Sequence, residues 1–152
     1  FMYENTAYTQ FSVNSNGLIR LGGTVVSNDW TNALSDNSDN PKIMPIWDDL
    51  CTGTGGSVKY LVTGTAPNRI LKIQHFGRMD ATEASASNAT FQTWFYEGTN
   101  VIEFIYGTGV NPASATIGIA GATYTQYMAR NHATNHTAAS SGAIESARIV
   151  SR

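Results

Sequence analysis

The chain has 152 residues, a formal net charge of −2, a pI near 5.8 and only 13% charged residues. That length fits one domain with a real core, and the charge balance offers no basic patch for nucleic acid. No apolar run reaches the ~18 residues that a membrane span needs.

Residues 7–21 read as a hairpin. Tyr8, Gln10 and Ser12 alternate with Thr9, Phe11 and Val13, Asn14-Ser15-Asn16-Gly17 is a turn signal, and 18–21 return. Residues 27–41 form a polar loop that holds Trp30, with at most one helical turn at Ala33 and Leu34. Residues 42–50 are an apolar run in which Pro45 argues against a central, fully paired strand. After a glycine-rich turn at 52–56, residues 57–62 form a strand with Val58, Tyr60 and Val62 on one face. Pro67 lies in the turn that follows, and 69–76 form the next strand.

Residues 77–88 are a surface loop, small and polar. The most informative stretch is 89–106, two strands joined by Glu97-Gly98-Thr99-Asn100. Phe91, Thr93 and Phe95 share one face, and Gln92, Trp94 and Tyr96 share the other. Bulk on both faces predicts a central strand covered on both sides. Ile102, Phe104 and Tyr106 line one face of the return strand. Residues 115–120 and 143–150 are strands, separated by a small, polar segment at 121–142 that carries Tyr124 and Tyr127. Eight or nine short strands with no helical period beyond two turns predict an all-β fold, an antiparallel β-sandwich or barrel, and the sandwich is the class expected. Trp47, Ile73, Phe91, Phe95, Phe104, Ile117 and Ile119 are the expected core.

Low charge, abundant Thr, Tyr, Asn and Gly, and a single cysteine suit an extracellular domain that folds without a disulfide. Cys51, beside an apolar run, reads as a small buried hydrophobe. The first residue is Phe1, so the chain reads as a module excised from a longer surface protein, spanning 1–152.

A resemblance accumulates along the chain. It rests on residues 8–17 (YTQFSVNSNG), 45–50 (PIWDDL), 55–60 (GGSVKY), 64–69 (GTAPNR), 100–104 (NVIEF) and 116–119 (TIGI). Together these resemble a β-sandwich module of secreted multidomain proteins of Bacteroidota, associated with type IX secretion and distantly similar to the nidogen-type extracellular module. The resemblance implies a bacterial cell-surface location and a role in adhesion, surface display or filament building. It carries no catalytic residues to transfer. The resembling module has an apolar strand ahead of the segment at Phe1 and Tyr3. The edges at 2–6 and 143–150 are therefore expected either to pair with a strand from neighbouring domains or subunits of the same surface protein or to border an exposed apolar groove.

Chemistry-bearing residues are few. Asp48 and Asp49 could place one carboxylate on Ca²⁺; the competing reading is that one braces the glycine-rich loop and the other faces water. Residues 36–40 offer alternate oxygen ligands but lack an EF-loop's glycine and distal Glu, so a solvated loop is expected. His132 and His136 have helical zinc spacing in a segment with no helical face. Glu97 and Glu103 could be imagined as a glycosidase pair, with turn and edge roles preferred. No nucleophilic triad or phosphate loop occurs, so no catalytic residue is assigned and no enzyme is expected. Trp30, Tyr124 and Tyr127 could stack on sugar rings of a polysaccharide. Against this, Trp30 could fold back and close one end of the sandwich.

Overall fold

The computed structural model describes residues 1–34, 37–112, 114–123, 126–132 and 147–150. Their strands, in chain order, are β1 (Met2–Tyr3), β2 (Thr6–Ala7), β3 (Phe11–Val13), β4 (Ile19–Leu21), β5 (Lys42–Trp47) and β6 (Ser57–Thr63). β7 (Ile70–Gly77), β8 (Ala89–Tyr96), β9 (Val101–Tyr106), β10 (Ala115–Ala120), β11 (Tyr127–His132) and β12 (Ala147–Val150) follow. One five-stranded sheet has the order β11-β10-β5-β4-β3, the other β12-β9-β8-β7-β6, and β1 and β2 form a separate hairpin. Every strand pair is antiparallel. The expected all-β sandwich is what forms. Beyond the nine expected strands, β1 and β2 are short additions, and β11 lies in the stretch read as small and polar. No helix among the described residues is long and apolar enough to cross a membrane.

Strict alternation builds the second sheet. On β8, Ala89, Phe91, Thr93 and Phe95 are buried while Thr90, Gln92, Trp94 and Tyr96 are half-buried on the outer face. The inner face meets the first sheet in a cluster containing Ile19, Ile43, Ile73, Phe95, Ile102 and Phe104. Each such side chain contributes about 1.5–3 kcal/mol on leaving water. Of the expected core, Ile117 is half-buried and the rest are buried. The outer face is held by its own side chains. Trp94 Nε1 donates to Gln92 Oε1 at 2.7 Å, Gln92 Nε2 to Gln74 Oε1 at 2.8 Å, and Lys72 Nζ sits 4.0 Å from the Trp94 ring centre.

The strand covered on both sides is β5, all six residues of which are buried. Ile43 and Ile46 face between the sheets. Met44 and Trp47 face outward with Leu18, beneath Val26 and Leu34 of the long loop that follows β4. Trp47 Nε1 donates to the Asp29 carbonyl at 3.0 Å, pinning that loop. Leu34, where the sequence allowed at most one helical turn, is part of this cover.

Pro45 thus sits in the middle strand of its sheet, contrary to the sequence expectation, and the register shows how. Thr116 pairs with Trp47 and Gly118 with Met44, so Pro45 and Ile46 together oppose Ile117. That is a β-bulge, one of the places where a sheet tolerates a residue with no N–H. On the other side, β4 pairs only with Lys42 and Ile43. Farther along, the turn before β4 takes over: Asp48 N donates to the Asn16 carbonyl and Leu50 N to Asn16 Oδ1. The Pro45 carbonyl accepts from Tyr106 Oη at 2.8 Å, which ties the two sheets together.

The β1–β2 hairpin closes one end of the sandwich. Glu4 and Asn5 both have positive φ, as a two-residue hairpin turn requires. Tyr3 is buried and its hydroxyl donates to the Ala120 carbonyl at 3.1 Å. Phe1 meets Phe95 edge-on at 5.3 Å. At the two edges expected to pair outside the chain or to border an apolar slot, Met2–Tyr3 pairs with Thr6–Ala7 and Ala147–Val150 pairs with β9. Among the described residues β12 is the end strand of its sheet, and Phe1 and Ala7, flanking the first edge, border an apolar groove. Residues 143–146 lie outside the described residues.

Candidate functional site

A concavity lies where the two sheets meet along β3 and β6, their edge strands on one side of the sandwich. It is a groove of about 360 Å³, within the range of ligand sites. Leu21, Leu71 and Phe95 are among its apolar lining, with Phe1, Tyr8 and Val62. The lining follows from strand parity. Leu71 and Phe95 are cross-strand partners on the inner face of the second sheet; Phe95 is buried beneath Phe1, and Leu71 beside it is half-buried. Phe11 of β3 and Tyr60 of β6 meet edge-to-face at 5.6 Å and close the sandwich alongside.

The rim is charged. Arg69 and Glu97 form a bidentate ion pair, with Arg69 Nε to Glu97 Oε2 at 2.8 Å and the Arg69 backbone N–H to the same oxygen at 3.1 Å. The guanidinium holds the Glu97 carboxyl well below its usual range, so the pair stays ionised across the physiological window. Beside the groove runs β6, with Tyr60, Leu61 and Val62 exposed in a row. Its only strand partner among the described residues is β7. An apolar hollow next to a strand edge with unpaired N–H and C=O groups can receive an extended polypeptide.

The residues singled out from sequence do not converge. Trp30 is 54% exposed, so it does not fold back over the sandwich end. Its neighbour Asp29 accepts from the Thr31 backbone and hydroxyl. Tyr127 is exposed on β11, and Tyr124 lies outside the described residues.

Asp48 Oδ1 accepts from Asn32 Nδ2 at 3.2 Å and from the Asp49 backbone at 3.0 Å, with the Ser114 hydroxyl at 3.5 Å. It thus bridges the loop before β5 to the residue before β10. Desolvation, opposed by these donors, raises the Asp48 carboxyl. Asp49 is exposed. Among the described residues no three His, Cys, Asp or Glu side chains are grouped to hold a metal.

The other candidates take structural places. Asp39 is buried, accepting from the Ser27 backbone at 2.8 Å and the Ser27 hydroxyl at 2.6 Å; Asp36 lies outside the described residues. Glu97 pairs with Arg69, and Glu103 accepts from Tyr96 Oη at 2.6 Å. Cys51 is buried with its thiol on the Asp80 carbonyl. His132 ends β11, and His136 lies outside the described residues. An apolar slot was expected beside residues 2–6, and Phe1, Ala7 and Tyr8, which flank that segment, line this groove. Its wall on the second sheet was not expected, because the sequence does not state the edge position of Tyr60-Leu61-Val62.

Two antiparallel sheets packed face to face define the chain as a β-sandwich module. Residues 1–151 match the NIDO-related family, and the chain belongs to that family, one of nidogen-like extracellular modules. No curated protein and no solved structure matches the chain significantly.

Proposed function

We propose that the protein is a non-catalytic structural or adhesive module on the exterior of a bacterial cell. It holds neighbouring polypeptide of a surface assembly through the β6 edge and the groove beside it. The observation that carries this reading is the conjunction of the 360 Å³ apolar groove with the exposed Tyr60-Leu61-Val62 edge. Family membership supports the extracellular setting, and the resemblance to modules of type IX-secreted proteins supports the bacterial surface. The test is protease shaving and antibody labelling of intact cells that express the native gene, with adhesion of a deletion strain in parallel. Surface labelling and an adhesion or assembly defect are expected. Confinement of the protein inside the cell overturns the reading.

A second reading, carbohydrate binding, is favoured by one observation: Trp30 is 54% exposed on a polar loop. Trp30→Ala should then abolish retention on a polysaccharide array while leaving the melting temperature unchanged. Retention that survives the substitution removes the reading.

A further inference from the structure

The β6 strand has an internal symmetry that its neighbours lack. Its sequence, Ser57-Val58-Lys59-Tyr60-Leu61-Val62-Thr63, reads nearly the same in both directions by residue class, with Tyr60 at the centre. Turned about Tyr60 and laid antiparallel on itself, it sets Ser57 opposite Thr63, Val58 opposite Val62 and Tyr60 opposite Tyr60. Lys59 falls opposite Leu61. Opposed residues then share parity, so each residue meets a partner on the same sheet face, and the free N–H and C=O groups meet in register.

The structure agrees with that arrangement. Val58 packs toward the core, Tyr60 meets Phe11, and Val62 lines the groove, so these three face inward. Self-pairing would extend the inward row as Val–Val, Tyr–Tyr and Val–Val pairs, the β-branched and aromatic combinations that stabilise sheets. Lys59 and Leu61 face outward and place no like charges opposite one another. β6 pairs with β7 along its whole length without a bulge, contains no proline and carries a single charge. Those are the protections by which monomeric proteins blunt an edge, and here all but the one lysine are missing.

We infer that the occupant of this edge is a second copy of the chain. Two β6 strands pair antiparallel about a two-fold axis through Tyr60 and join two five-stranded sheets into one of ten. This deepens the proposed function and rests on it, because it names the neighbour that the surface module holds.

The test exploits the Lys59–Leu61 opposition, which occurs twice across the axis. Leu61→Lys sets lysine against lysine, whereas Leu61→Glu sets a carboxylate against Lys59. Both substitutions are made at an exposed position and remove the same apolar surface. Sedimentation equilibrium of the purified chain over micromolar to millimolar concentrations should show a wild-type dimer. Leu61→Lys should weaken it by about tenfold or more. Leu61→Glu should remain dimeric at low salt and loosen as salt screens the new pairs. The double variant Lys59→Glu with Leu61→Lys should restore the dimer. As an independent measurement, Tyr60→Cys puts one thiol on each side of the axis, within disulfide reach in this register; native Cys51 is buried and stays out of the reaction. A monomeric wild type overturns the inference, as do equal losses in the two Leu61 variants or a Tyr60→Cys chain that does not cross-link. A monomer that still labels on intact cells overturns the dimer alone and leaves the surface module standing.

Discussion

His75 shows how one buried side chain couples this fold to pH. Its ring stacks on Phe91 at 4.5 Å, Nε2 lies 3.1 Å from the Asn14 carbonyl, and Nδ1 is buried without a hydrogen-bond partner. Burial outweighs the carbonyl contact and pushes the imidazole down to about 4. The folded ring therefore stays neutral at pH values where the unfolded chain, near 6.5, takes up a proton. Stability from the neutral ring is complete above about pH 6.5 and is lost as pH falls toward 4, by ~3 kcal/mol in all. Urea denaturation at a series of pH values should trace that loss. His75→Leu should flatten the curve between pH 6.5 and 4, whatever it does to the midpoint at neutral pH. The ion pairs Arg69–Glu97 and Arg78–Asp80 act in a different window. Their carboxyls are held below the usual range, so what they contribute is lost only as pH falls below about 4.

At the scale of elements, the turn between β3 and β4 does more than reverse the chain. Gly17 adopts φ +80°, and a Cβ there would lie far inside van der Waals contact with the Ile46 carbonyl. The turn lies this close because it takes the place of β4 beside the end of β5, accepting hydrogen bonds from Asp48 and Leu50 just beyond it. Gly55 supplies the control, with the same φ of +80° but open space around it. Gly55→Ala should cost about 1 kcal/mol, the backbone penalty alone. Gly17→Ala should cost clearly more, because the Asn16–Leu50 and Asn16–Asp48 bonds must move with it. Equal losses in thermal or urea unfolding would show that the turn yields without disturbing β5.

For the whole molecule, the β1–β2 hairpin is the piece that touches both sheets. Tyr3 reaches the Ala120 carbonyl of the first sheet, Met2 N donates to Asn100 Oδ1 at the β8–β9 turn of the second, and Glu4 accepts from the Ala122 backbone at 3.2 Å. Tyr3→Phe should cost about 1 kcal/mol for the lost hydrogen bond, and Tyr3→Ala about 3–5 kcal/mol for the emptied core site. The losses should appear in both sheets together. Trp47 reports the first sheet and Trp94 the second, so unfolding curves from single-tryptophan variants should coincide. Separated midpoints would mean that the sheets are held less tightly to each other than the shared core implies.

The sequence by itself determined the fold class and most of the strands, because period-two alternation is a local property of the chain. Residues 89–96 could be read without knowing what they pack against, and so could the turn at 14–17. It also determined which large side chains become core, since Trp47, Phe91 and Phe104 have few alternatives to burial. Bulk on both faces placed β8 at the centre of its sheet, where it lies; for the other strands only the tertiary structure decided which lie at edges and which in the middle. Pro45 argued for a margin and stands at a centre, because the residue that tolerates it is a bulge made by register with β10, far along the chain. Trp94 suggested a covered face, yet the cover went to β5, because the long loop after β4 had Val26 and Leu34 to bring there. The groove was legible only at its N-terminal border, for the same reason. Phe1, Leu21, Leu71 and Phe95 are distant in sequence, and only the packing of the two sheets and the N-terminal segment brings them to one hollow. Edge, bulge and groove are all pairing outcomes, and pairing depends on the free energy of the whole arrangement rather than on any one strand's pattern.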